Sequence, residues 1–123
     1  MWDGFNKRKF PRLNLRCEIT LKNQPEGQVL QTQTENVGAG GVCVLLERPL
    51  ERFSIVSLRI ELDPHLPWIE CLGKVIWSVP SREVAAKKEC YDIGIEFVDL
   101  EPAAHDLIRH YVEARVVAEE KTD

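Results

Sequence analysis

Leu13-Asn14-Leu15-Arg16-Cys17-Glu18-Ile19-Thr20-Leu21-Lys22 alternates apolar and polar side chains without a break. Successive side chains of an extended strand point to opposite faces, so this stretch reads as a strand with one buried and one wet face. Pro25-Glu26-Gly27 ends it as a turn. The same period recurs further along. Val29 to Thr34, rich in Gln and Thr, reads as a second, more exposed strand, and Val42-Cys43-Val44-Leu45-Leu46 as a short strand buried on both faces. From Ile55 to Leu62, Val56, Leu58, Ile60 and Leu62 share one face. From Trp68 to Val79, Ile69, Cys71, Gly73, Val75, Trp77 and Val79 share one face. Tyr91-Asp92-Ile93-Gly94-Ile95-Glu96-Phe97 alternates once more.

After Pro102 the period changes. Leu107, Ile108, Tyr111, Val112, Arg115 and Val116 recur at helical spacing, which predicts an amphipathic helix over residues 101–118. Short strands joined by short turns favour antiparallel pairing. The expected fold is therefore all-β dominated: a six-stranded antiparallel barrel over residues 13–98, with the C-terminal amphipathic α-helix covering its open end or side. Residues 1–12 precede it as a flexible basic arm. At 123 residues, the chain (1–123) reads as a single domain with a real hydrophobic core.

No apolar stretch approaches the roughly 20 residues of a membrane helix, and Met1-Trp2-Asp3-Gly4 lacks the start of a signal peptide. The expected location is the cytoplasm, without membrane insertion. Charge is unevenly spread. Residues 1–16 hold Lys7, Arg8, Lys9, Arg12 and Arg16 against Asp3 alone, a local charge of +4, while the formal net charge is −4. An acidic body with one basic arm argues against duplex nucleic acid, which needs a broad basic face. It suits a small anion better.

Catalysis and metal binding find little support. Cys17, Cys43, Cys71 and Cys90 are widely spaced with no Cys-x-x-Cys pair, so neither zinc nor a disulfide is expected, and Cys17 and Cys71 read as small buried hydrophobes. His105 and His110 are five apart on the helix and do not share a face well, and no nucleophile elbow is present. The chain reads as a binding module, with no catalytic residues and no cofactor.

Two segments remain. The arm, Lys7-Arg8-Lys9-Phe10-Pro11-Arg12, offers two arginines four residues apart, whose planar forks can grip a phosphate or the O6/N7 edge of guanine. The glycine turn, Asn36-Val37-Gly38-Ala39-Gly40-Gly41, offers an amide that donates and accepts, followed by glycines that permit positive φ and close backbone approach. Taken singly, the arm is also a solvated tail, and Asn followed by glycines is also an ordinary turn.

Their order is more specific. Arg8-x-x-x-Arg12, a strand, and then Asn36-x-Gly38-x-x-Gly41 resembles the PilZ domain family, whose pattern is Arg-x-x-x-Arg followed by Asp or Asn-x-Ser-x-x-Gly. Gly73-Lys74-Val75-Ile76-Trp77 and residues 91–97 are similar to later family segments. The resemblance implies a bacterial cyclic di-GMP receptor built on a six-stranded antiparallel barrel. It implies that Arg8 and Arg12 clamp phosphates and guanines, with Lys7 adding charge. It also implies that Asn36 reads a guanine or ribose, and that Gly41 lets the strand approach the ligand. Arm ordering would then relay the signal to an unidentified downstream protein. Gly38 departs from the family's serine, and the missing hydroxyl is worth about 0.5–1.5 kcal/mol, a factor of several in affinity. That departure keeps a second reading open: a protein-interaction adaptor of the same fold with weakened or lost messenger binding. An oligonucleotide-binding barrel is disfavoured by the acidic body and the lack of an exposed aromatic platform. Trp77 shares the parity of Val75 and Val79, which predicts an inner, core position, and its place near a strand end makes it a weaker ligand candidate.

Overall fold

Alternation over Ile55–Glu61 and Tyr91–Phe97 and the all-apolar run of Val42–Leu46 set the architecture, because a sheet closed on itself buries one face of every strand. The computed structural model describes residues 12–13, 16–23, 27–81 and 89–121, with 12–13 and 116–121 described at the level of the backbone. The elements are β1 (Arg12–Leu13), β2 (Glu18–Asn23), β3 (Val29–Gly38), β4 (Gly41–Leu46), β5 (Ile55–Glu61), β6 (Ile69–Pro80), β7 (Tyr91–Phe97) and α1 (Pro102–Lys121). All pairings are antiparallel. The order β3-β2-β5-β6-β7-β4 returns through β4 to β3 and closes a six-stranded barrel.

The expected strand over residues 13–22 is two strands along one neighbour. Leu13 opposes Val37 of β3 and Glu18 opposes Gln33, so the register slips by one residue between them. At the slip, the Cys17 amide donates to Thr34 Oγ1 and the Thr34 amide donates to the Cys17 carbonyl, both at 2.9 Å. This satisfies Thr34, a fully buried polar side chain. Burial, partly offset by that hydroxyl, holds the Cys17 thiol above its ordinary pKa.

Every barrel strand contributes to one core: Ile19, Leu21, Val37, Val42, Val44, Val56, Leu58, Ile60, Ile69, Val75, Ile93 and Ile95 are all buried. From α1, Ile108 and Val112 join it, each contributing about 1.5–3 kcal/mol through burial. The helix packs against β1 and β3. Among the described residues, no helix is long and apolar enough to cross a membrane. The four cysteines are free, with Cys17 buried and Cys71 half-buried against the core.

Counting by twos fails in β6. Val75 opposes Ile95 but Trp77 opposes Gly94, so Ile76 is an extra residue, a β-bulge that reverses parity beyond it. Trp77 and Val79 therefore stand on the outer face. Val79 is 47% exposed and Trp77 half-buried, which corrects the expected core position of both.

Candidate functional site

A second bulge decides where Asn36 points. Thr34 opposes Val44 and Asn36 opposes Cys43, leaving Glu35 as the extra residue in β3. Thr34 faces the core, and the bulge turns Asn36 to the outside while returning Val37 to the inside. The two bulges bring Asn36 and Trp77 onto one outer row. Asn36 opposes Cys43, Cys43 opposes Gly94, and Gly94 opposes Trp77, across β3, β4, β7 and β6.

Gly94 explains how an indole fits there. A Cβ on residue 94 would be driven into Cδ2, Cε2 and Cε3 of Trp77, nearly equidistant from all three. The ring thus lies face-on over the bare backbone of Gly94, the packing by which an aromatic covers a strand glycine. Cys43, between Asn36 and Gly94, donates through Sγ to Glu35 Oε1 at 3.7 Å.

A parallel outer row lies two residues along. Arg12 opposes Gly38, Gly38 opposes Gly41, and Gly41 opposes Glu96. With strands about 4.8 Å apart and two residues spanning about 6.7 Å, the Arg12 and Asn36 backbones stand about 8 Å apart. The expected glycine turn is narrower than its sequence. Asn36, Val37 and Gly38 belong to β3, Gly41 begins β4, and only Ala39 and Gly40 make the turn. Among the described residues the one glycine with positive φ is Gly27, at 75°, so the freedom expected of Gly38, Gly40 and Gly41 is not used. Gly41 is required by a close approach instead, because a Cβ there would be driven into the Ile95 carbonyl oxygen of β7.

One polar atom stands out. Asn36 Oδ1 is buried and has no hydrogen-bond partner among the described residues. Such an orphan acceptor typically costs about 1–3 kcal/mol and is filled when a donor arrives. Asn36 also lines the end of an outer-face cavity of about 920 Å³ between β2, β3 and β5, together with Arg16, Thr20, Gln31, Gln33 and Arg59. Lys7 and Arg8 lie outside the described residues. Of the expected ligand residues, Arg12 (as backbone), Asn36, Gly38, Gly41 and Trp77 gather on one outer face. Cys43, Gly94 and Arg16 were not anticipated. Gly94 carried a readable signal, since it alternates with inward Ile93 and Ile95 and so had to face outward. No group of side chains suited to a metal ion occurs among the described residues.

A closed six-stranded antiparallel barrel that carries Asn36 and Trp77 on one outer row beside an N-terminal strand marks the class. The family profile described as the PilZ domain matches residues 6–114, and the chain belongs to the PilZ domain family. Solved structures agree on the fold. The PilZ domain with c-di-GMP of YcgR from Escherichia coli superposes with a TM-score of 0.73 at 14% identity, covering 95% of this chain and 98% of that one. The Bacillus subtilis inhibitor of motility, MotI/DgrA, gives 0.77 at 16% identity, covering 90% of this chain and 52% of that one. The K. pneumonia MrkH–c-di-GMP complex gives 0.77 at 14% identity, covering 94% and 55%. The chain thus spans about half the length of MotI/DgrA and MrkH. A search of curated proteins returns no match.

Proposed function

We propose that this domain is a bacterial cyclic di-GMP receptor, a binding module rather than an enzyme, acting in the cytoplasm. The observation that carries the reading is the orphan Oδ1 of Asn36, held on the outer face one row from the Gly38 partner of Arg12. Guanine presents N–H donors that such an acceptor can receive. Arg12 and Arg8, with Lys7, would supply charge for the phosphates and guanidinium planes for the bases. Trp77 adds a half-buried indole on the Asn36 row, and base–aromatic stacking is worth about 1–3 kcal/mol per base. Gly38 and Gly41 leave the floor between arm and barrel without side chains. The expected arm runs to residue 12, but Arg12 is already paired with Gly38 in β1; the segment before it would close over the ligand and relay binding to a protein partner by becoming ordered.

Gly38 in place of serine favours the second reading, an adaptor of the same fold with weakened or lost messenger binding. Titration calorimetry with cyclic di-GMP separates the two. Micromolar or tighter binding that weakens with added salt and is lost in Arg8→Ala and Arg12→Ala supports the receptor. Absence of heat, with unchanged arm amide resonances at saturating ligand, refutes it and leaves the adaptor.

A further inference from the structure

The outer faces of β5 and of β6 ahead of its bulge carry an exposed apolar strip that the ligand reading does not use. Phe53, Leu72 and Val98 are 56%, 37% and 50% exposed, and Ile55 stands beside them at 36%. Register makes them contiguous. Ile55 opposes Lys74, Ser57 opposes Leu72, and the Val98 amide donates to the Leu72 carbonyl at 3.0 Å. Scattered apolar residues on a surface are ordinary, whereas a contiguous run of large ones marks an interaction surface.

The two ends of the strip differ in shape and in charge. At one end Phe53 projects as a knob, held at φ 70°, a conformation that bulky residues rarely adopt. Its amide donates to the Val75 carbonyl at 2.7 Å, and the next residue, Ser54, accepts from the Val75 amide at 3.0 Å. The backbone therefore fixes the ring outward. Two cations attend it, Arg52 at 4.7 Å and Lys74 at 5.7 Å from the ring centre, and neither has an ion-pair partner among the described residues. At the other end is a hollow of about 500 Å³, lined among others by Lys22, Ser57, Cys71, Leu72, Asp99 and Glu101. Asp99 and Glu101 likewise have no ion-pair partner among the described residues. Glu96, across from Lys74 in register, makes no ion pair with it.

A knob flanked by cations and a hollow flanked by carboxylates, joined by an apolar strip, form a self-complementary surface. A two-fold axis across the strip sets each knob against the partner's hollow and each cation pair against the partner's carboxylates, which is the requirement of an isologous interface. We propose that the β5–β6 face is a homodimer interface, with Phe53 of one copy seated in the Leu72–Asp99–Glu101 hollow of the other. This inference is independent of the ligand reading, since it uses none of the residues assigned to the ligand and the surface is complete without ligand.

Analytical ultracentrifugation of the full chain tests it without ligand. The expected result is a monomer–dimer equilibrium that shifts toward monomer as sodium chloride is added. Arg52→Glu with Lys74→Glu, and separately Asp99→Lys with Glu101→Lys, should each weaken association by roughly tenfold or more. An equal mixture of the two charge-reversed proteins should recover the dimer, because each now meets its complement. Phe53→Gly should be monomeric while keeping the wild-type far-ultraviolet spectrum. A wild-type protein that remains monomeric at its solubility limit overturns the proposal. So does a dimer that survives both charge reversals, or a mixture of the reversed proteins that stays monomeric.

Discussion

Gly94→Ala probes the placement of Trp77 with one methyl group. Non-bonded carbon atoms pack best about 3.5–4.0 Å apart, and a Cβ on residue 94 falls well inside that distance from three indole atoms at once. Because those atoms belong to a rigid ring resting face-on, no torsion of a flexible tail relieves the overlap. The indole must lift by roughly 1 Å or more, or β6 must separate from β7. Overpacking of this kind costs about 1–3 kcal/mol. Replacing glycine returns about 0.4–1 kcal/mol by restricting the unfolded chain. The expected net loss for Gly94→Ala is thus about 1–2 kcal/mol. Trp77→Ala removes the obstacle, so in that background Gly94→Ala should be neutral or slightly stabilising. A double-mutant cycle from urea denaturation, followed by circular dichroism, should return a coupling of about 2 kcal/mol. Equal destabilisation by Gly94→Ala in both backgrounds would refute the reasoning, because the cost would then lie in the strand backbone and the indole would not rest on Gly94.

Three further outcomes follow from other sites. Asn36→Ala removes a buried acceptor that nothing among the described residues satisfies, so ligand-free stability should hold or rise by up to about 1 kcal/mol while cyclic di-GMP affinity falls about tenfold; a clear loss of ligand-free stability in a thermal melt would show that Oδ1 already has a donor. At position 53 the usual order of small residues should invert, with Phe53→Gly more stable than Phe53→Ala by about 1 kcal/mol, since only glycine is at ease at φ 70°; calorimetric melting temperatures in the ordinary order would contradict it. Burial, with the Asp99 charge adding to it, raises the Cys71 thiol from 9.0 to about 11. The unfolded chain therefore releases this proton first, and the stability Cys71 contributes is complete below pH 9 and lost as pH rises toward 11. Wild type should lose more stability than Cys71→Ala between about pH 8 and about pH 10.5, and parallel losses in urea midpoints would sink this assignment.

The barrel and the helix were legible because β5 and α1 keep one period from end to end and the other strands keep it over most of their length. Val56, Leu58, Ile60 and Leu62 are all buried, as are Ile108 and Val112 on the predicted helical face. The site was legible in its membership more than in its geometry. Asn36 and Trp77 each lie just past a bulge, and counting by twos from Thr34 or Val75 places both inside the barrel. The extra residues, Glu35 and Ile76, carry no glycine, proline or other turn signal, and only pairing with β4 and β7 reveals them. The roles of the glycines shifted for a related reason. Gly41 answers to the carbonyl of Ile95, more than fifty positions away in the chain, and that contact leaves no trace in its neighbours. The break between Leu13 and Glu18 was hidden in the same way, since each half keeps the alternation and only the register against β3 differs.

The two bulges make this surface depend on arithmetic as well as on identity. Pairing Ile76 with Gly94, so that the bulge closes with no residue lost, would leave every side chain of the candidate site present in the polypeptide, yet it would swing Trp77 toward Val75's side of the sheet and bare Gly94. Closing the bulge at Glu35 would do the same to Asn36. Within this fold, a slip of one in strand register can silence or expose a recognition face while the recognising residues themselves stay untouched. A relative that keeps Asn36 and Trp77 but pairs either strand without its bulge would share the motif without sharing the surface.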